Sequence, residues 1–302
     1  MNVTIITNPI AGNKKQSPLH AAVNLLRSKG IMPEIRQTGK RGDACLFAQD
    51  EVQKKTEIVM AAGGDGTINE IANGLVGSSL KLAVLPIGTA NVFSREANIP
   101  SDPHAAVDLL FTGTVRQINL GRIRFRDRYH DHEITNHFVL MAGIGLDGGV
   151  LAEIKRSSVE RWGRAAYVFT GIRVLSQYTC SRITITVDQG KTLQGYSAVI
   201  GNAHYYGGKF VVTPHASLLE DSLELCVFKN KGSVSMGKNV LKLLLKKQSS
   251  SRDLFYCKAH AIEVTSPDEV FIQADGDFMG KLPAHISVSK STLSVIVPKS
   301  NN

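Results

Sequence analysis

Three glycines and an aspartate, Gly63-Gly64-Asp65-Gly66, follow the apolar run Ile58–Ala62 and precede a segment of helical character. Glycines at a strand–helix junction let the main chain approach a ligand closely with its N–H groups directed at it, and the helix start adds the positive end of its dipole. This is a phosphate cradle. Thr67 and Glu70 have the spacing of a capping box, which would fix the start of the helix. The loop has no Walker A lysine, and Gly64-x-Gly66-x-x-Asn69 lacks the third glycine of the dinucleotide fingerprint. Asp65 places a carboxylate where a phosphate would go; like charges repel unless a cation bridges them, so Asp65 predicts Mg²⁺. The plainer reading is a glycine-rich turn with Asp65 as turn-former.

A second loop, Leu85-Pro86-Ile87-Gly88-Thr89-Ala90-Asn91, follows the next apolar run, Leu82–Leu85, so that two such loops border one crevice. Far along the chain, Asp275-Gly276 stands between two apolar runs and reads first as a hairpin turn. Asp275 and Asp277 acquire chemical meaning only if that turn faces the first loops. His130-Asp131-His132 with His137 has metal-like spacing but sits among charged residues, and His204 beside Tyr205-Tyr206-Gly207-Gly208 is either a cleft residue or a packed histidine. Trp162 and the apolar residues of Tyr167–Val174 read as core rather than as lipid contacts.

The elements that must position these residues fall into two textures. Up to about residue 95, apolar strands alternate with helices: Val3–Thr7, a helix over Pro18–Lys29, Pro33–Gln37, a helix over Ala44–Glu51, Ile58–Ala62 and Leu82–Leu85. Continuous apolar strands alternating with helices imply a parallel sheet covered on both faces, with ligands at the C-terminal strand ends. After about residue 115 the runs shorten and often alternate: Val115–Phe125, Ile134–Ala142, Arg182–Val187, Ser197–Gly201, Ser222–Phe228, Ala261–Thr265, Val270–Ala274 and Leu293–Val297. That is the pattern of an antiparallel sandwich or barrel. Val150–Gln177 and the basic Met236–Lys247 interrupt it with helical character.

The 302 residues contain no apolar run of 18, which excludes a membrane-spanning helix. Met1–Ile6 leads straight into a strand without the features of a secretory leader, and four scattered cysteines with no C-x-x-C pair fit a reduced, cytoplasmic protein. The net charge is +9, and the stretch Lys229–Lys258 carries eight basic residues against the single acid Asp253. Nucleic acid, anionic lipid and an acidic substrate are all candidates for such a cluster, as is a plain solvated face. The stretch shows no nucleic-acid recognition module, so nucleic-acid binding is the weakest of these.

Gly63–Glu70 followed by Leu85–Arg95 resembles the diacylglycerol-kinase catalytic family, which includes bacterial lipid kinases and the sphingosine kinases. The resemblance extends to Asn8-Pro9-x-Ala11-Gly12, Gly143-x-Gly145-x-Asp147, Gly201-Asn202 with Tyr206-Gly207-Gly208, Pro214-x-Ala216 through Asp221-x-Leu223, and Asp275-Gly276-Asp277. It implies an α/β N-terminal domain with a NAD-kinase/phosphofructokinase-like parallel sheet, residues 1–115, and an antiparallel β-sandwich C-terminal domain, residues 116–289. The last strand, about 290–302, has the option of returning to the first domain.

By the same resemblance Thr38, Gly64, Asp65, Gly66, Thr67, Ile68, Asn69, Glu70 and Thr89 contact ATP. Asp277 is the proton acceptor, and Asp221 with the carbonyls of Leu218 and Leu223 forms a structural Mg²⁺ site. Three positions depart from the family pattern: Asp277 replaces glutamate, Val92 stands at a usual aspartate, and Ser222 replaces a glycine. The implied activity is an ATP-dependent lipid kinase acting on diacylglycerol or a similar lipid, cytoplasmic and peripheral at the membrane surface, with a homodimer as one admissible state. Its rivals are a kinase of a soluble acceptor, as NAD kinases are, and a non-catalytic lipid- or nucleotide-binding regulator.

Overall fold

The computed structural model describes residues 1–9, 17–126, 133–145, 181–188, 190–208, 210–232, 235, 238–239 and 253–299. Outside these residues lie Val150–Gln177 with Trp162 and Tyr167–Val174, the His130–His132 motif, Ala11, Gly12, Asp147, and all of Met236–Lys247 except Lys238 and Asn239. The chain divides into two compact units, Met1–Leu120 with Ser289–Asn302, and Gly121–Val288.

The first unit is α/β. Its strands β1 (Val3–Thr7), β2 (Glu34–Gln37), β3 (Ile58–Gly63), β4 (Lys81–Pro86) and β5 (Thr114–Ile118) are joined by the late strand β19 (Leu293–Val297) in the order β2-β1-β3-β4-β19-β5. All pairings are parallel except β5 with β19. Every residue of β1 and β3 is buried, which is why those strands read as unbroken apolar runs. Helices α1 (Ser17–Ser28) and α5 (Pro103–Thr112) bring Ala22, Val23, Leu26, Ala106 and Val107 onto Ile5, Met60 and Leu85 of the sheet. Helices α2 (Asp43–Lys54) and α3 (Asp65–Leu75) pack on each other at Gly74, where a Cβ would lie 2.6 Å from that of Ala48.

The second unit is an antiparallel, sandwich-like β-domain. Strands β6 (Gly121–Arg126), β7 (Glu133–Phe138), β8 (Met141–Ile144), β9 (Ile183–Val187), β10 (Lys191–Gly195) and β11 (Ser197–Gly201) belong to one sheet. So do β14 (Leu223–Phe228), β15 (Leu254–Ala259), β16 (Ala261–Thr265), β17 (Phe271–Ala274) and β18 (Asp277–Val288). A small hairpin, β12 (Tyr205–Tyr206) with β13 (Phe210–Val211), stands apart. The twelve-residue β18 pairs with β17 through its first half and with β16 and β6 through its second, with register shifts that bend it between partners. Its core gathers Phe125, Phe138, Ile185, Leu225, Ile272 and Ile286.

The single run Val115–Phe125 is two strands, β5 and β6, which belong to different units. Ile134–Ala142 is likewise β7 and β8 with a bend at Val139–Leu140.

Candidate active site

In the first unit, the two glycine loops follow the C-terminal ends of adjacent strands, β3 and β4. They meet backbone to backbone: a Cβ on Gly88 would lie 2.4 Å from Gly64 Cα and 2.7 Å from Asn91 Oδ1. Only glycine fits that approach. A Cβ on Gly63 would lie 2.5 Å from the Thr67 hydroxyl, so this glycine lets α3 start immediately beside its strand. Above Gly66 the space is open, with nothing within 4 Å of where a Cβ would stand.

Helix α3 begins at Asp65, with Gly64 as an extended N-cap that supplies no side chain. The capping box expected from Thr67 and Glu70 is not formed. Thr67 already lies within the first turn, buried against Gly63, and Glu70 reaches away to accept the N–H of Ala44 at 3.2 Å. Apart from the Asp65 N–H, which its own carboxylate faces, the start of this eleven-residue helix has no side-chain cap, and the space at Gly66 is open, an arrangement that suits an anion.

Asp65 is half-buried, and its Oδ1 accepts the N–H of Phe93 at 2.9 Å, holding the short helix α4 (Val92–Glu96). Burial pushes this carboxyl above the usual aspartate range, against the opposing N–H groups of Phe93, Val92 and Asp65 itself. Asn91 begins α4 in the left-handed region at φ 47°, and its Nδ2 donates to the carbonyls of Gly88 at 3.1 Å and Pro86 at 3.3 Å.

Among the remaining expected nucleotide contacts, Thr89 is exposed on the second loop and Gly66 is exposed on α3. Ile68 is buried in the core with its N–H bonded to the Gly64 carbonyl. Asn69 is also buried, and Asn73 Nδ2 donates to its side-chain oxygen at 3.2 Å. Thr38 lies just past β2, where its N–H donates to the Thr7 carbonyl at 2.9 Å.

In the second unit, Asp275 and Gly276 have φ of 49° and 84° and join the paired residues Ala274 and Asp277, a two-residue hairpin of type I′. Asp277 opens β18 and is half-buried. Leu218 and Leu223 are buried, with exposed Asp221 between them on the approach to β14. Glu224, almost fully buried, accepts the N–H of His215 at 2.6 Å and so holds the Pro214-His215-Ala216 loop. Burial raises its carboxyl, opposed by the His215 N–H. His137 is half-buried on β7, and its pKa is lowered by burial and by Arg122. No group of three or more His, Cys, Asp or Glu among the described residues is placed to hold a metal.

Sequence reasoning named Asn91, Asn202 and Asp275 within motifs but foresaw for none of them the supporting role it has in the structure. Asn91 carries no signal beyond its tolerance of positive φ. Asn202 is fully buried and donates from Nδ2 to the Val139 carbonyl at 2.8 Å. Asp275, read as a turn-former, is also an acceptor for three main-chain N–H groups.

Residues 2–123 match the diacylglycerol kinase catalytic domain, and residues 141–297 match the YegS C-terminal NAD kinase beta sandwich-like domain. Diacylglycerol kinase of Staphylococcus aureus (strain bovine RF122 / ET3-1) is 27% identical over 303 residues, covering 97% of this chain and 91% of that protein. The Staphylococcus haemolyticus (strain JCSC1435) diacylglycerol kinase is also 27% identical, over 98% of this chain and 88% of its own length. A crystal structure of a diacylglycerol kinase from Bacillus anthracis str. Sterne superposes with a TM-score of 0.69 at 22% identity, covering 98% of this chain and 96% of that one. Yeast NADH kinase complexed with NADH shares the fold more distantly, with a TM-score of 0.55 at 10% identity over 100% of this chain and 84% of its own. The chain therefore belongs to the diacylglycerol kinase catalytic domain family, with that catalytic domain followed by the YegS-type β-sandwich domain.

Proposed function

We propose that this chain is an ATP-dependent lipid kinase that phosphorylates the hydroxyl of diacylglycerol or a similar lipid. The observation that carries the reading is the Gly64–Gly88 backbone contact beside an uncapped helix start. Two glycine loops and a helix N-terminus offer main-chain donors to a polyphosphate. Relatives at 27% identity named as diacylglycerol kinases support the lipid class.

ATP supplies the phosphoryl group and Mg²⁺ offsets its charge. Gly64, Gly66 and Thr67 hold phosphate oxygens through N–H groups, with Thr38, Asp65, Ile68, Asn69, Glu70 and Thr89 completing the nucleotide's surroundings. Asp277 accepts the proton of the lipid hydroxyl, whose oxygen forms the new bond to phosphorus as the bond to the departing ADP oxygen breaks. One carboxylate and two carbonyls, from Asp221, Leu218 and Leu223, are hard oxygen donors of the kind Mg²⁺ prefers. Among the described residues no helix is long and apolar enough to cross a membrane. The proposed enzyme meets its lipid at the membrane surface.

The test is incubation with labelled ATP, Mg²⁺ and a panel of lipids in mixed micelles, alongside NAD as a soluble acceptor. Label in a phosphorylated lipid is the expected result. Label in NAD would favour the soluble-acceptor reading, and no transfer to any acceptor would favour a binding protein.

A further inference from the structure

Asp275 does more than turn the chain. Its Oδ2 accepts the N–H of Val139 at 2.6 Å, and its Oδ1 accepts those of Leu140 and Met141, both at 2.9 Å. Its own N–H donates to the Met141 carbonyl at 2.9 Å. From the other side, the Asn202 N–H donates to the Leu140 carbonyl and its Nδ2 to the Val139 carbonyl, each at 2.8 Å. The bend between β7 and β8 is thereby bolted to the hairpin between β17 and β18. Three charge-assisted bonds from consecutive N–H groups are a strong and directional anchor.

We propose that Asp275 is a positioning residue which fixes Asp277 by clamping the Asp275–Gly276 turn to Val139–Met141. This rests on the reading of Asp277 as proton acceptor. The turn itself does not need the clamp, because Asn-Gly favours the same type I′ geometry as Asp-Gly. What the carboxylate adds is attachment. A side chain as short as aspartate places its carboxyl only where its own Cα is held, so the anchoring of the turn sets the reach of Asp277. Misplacing a reacting group by about 1 Å costs on the order of 10²-fold in rate.

A double-mutant cycle tests this, because Asp275→Asn keeps the turn preference while removing the anionic clamp. Asp277→Asn alone should lower kcat by roughly 10²–10⁴-fold. Asp275→Asn alone should lower kcat by roughly 10–10²-fold with the KM for ATP unchanged, and the double variant should be no slower than Asp277→Asn. A merely structural role would instead multiply the two losses. Independent, multiplying losses, or normal turnover in Asp275→Asn, would overturn the clamp while leaving Asp277 as the base. Full turnover in Asp277→Asn would overturn both. Should Asp275→Asn fail to melt cooperatively, Asn202→Ala takes its place in the cycle, loosening the same bend from the opposite side with the same non-additivity expected.

Discussion

Asp65 keeps a carboxylate where burial opposes its charge, and the direction of that shift can be tested. Its folded pKa lies above the ordinary aspartate value of 3.8, so the native state holds the proton more tightly than the unfolded chain. The stability contributed by this group is therefore fullest in acid and declines as pH rises from 3.8 through the raised folded pKa. Asp65→Asn stays neutral throughout and retains an Oδ1 acceptor for the Phe93 N–H. Its stability relative to wild type should rise across that window and reach or exceed wild type at neutral pH, while turnover with Mg²⁺ and ATP collapses. Urea melts from pH 4 to pH 7 beside activity assays would show the divergence. An Asn variant less stable than wild type at every pH would make Asp65 a helix cap and nothing more.

At the scale of elements, the glycine loops predict opposite outcomes for two similar substitutions. Gly88→Ala drives a Cβ to 2.4 Å from Gly64 Cα, where only backbone can yield. It should destabilise the first unit by about 1–3 kcal/mol and weaken ATP binding as well. Gly66→Ala meets nothing within 4 Å and lies within α3, so it should hold or raise stability by up to about 1 kcal/mol. If phosphate approaches the main chain there, the added methyl should still weaken ATP binding. Thermal melts with titration calorimetry would separate the cases, and unchanged ATP affinity in Gly66→Ala would remove that glycine from the site. The apolar strands leading into these loops were legible because both their faces are covered. The α3 start was misread because its cap is main chain alone, and nothing at Thr67 or Glu70 reveals that Glu70 serves α2 instead. Strand β18 is implied by the hairpin turn at Asp275-Gly276, but its extent was not legible because Gly280, Lys281 and Pro283 break its alternation, although those residues fall where it changes partners. The Asp275 clamp was invisible because its partners lie more than 130 residues away and are all main-chain groups.

For the whole molecule, charge and connectivity each make a prediction. Lys242, Lys246 and Lys247 lie outside the described residues, so their role is argued from sequence: basic residues interleaved with Val240, Leu243 and Leu244 suit an anionic surface. Each lysine near such a surface contributes about 1 kcal/mol, screened over about 8 Å in physiological salt. Changing all three to Gln should weaken sedimentation with anionic vesicles, and wild-type binding should fall as salt rises; equal binding by both proteins at every salt concentration would make the stretch a solvated face. Connectivity makes the stronger demand. The chain leaves the first unit at Leu120 and returns at Ser289, where the Ser289 N–H donates to the Leu120 carbonyl at 2.8 Å. The returning strand β19 is inserted between β4 and β5, with all five of its residues buried, and Gln117 on β5 donates to the Ser294 hydroxyl at 2.8 Å. The glycine loops at the ends of β3 and β4 thus depend on a strand from the last residues of the chain. A chain ending at Lys290 should lose the melting transition of the first unit, together with its stabilisation by ATP and Mg²⁺. That stabilisation is about 2.7 kcal/mol when the ligand is at 100 times its Kd. Val295→Ala, which only opens a small cavity beneath β19, should cost about 1–3 kcal/mol while keeping the ligand-induced shift. Calorimetric scans with and without nucleotide on all three proteins decide it: a truncated chain that still melts cooperatively and is still protected by ATP would show that β19 merely decorates a sheet already complete without it.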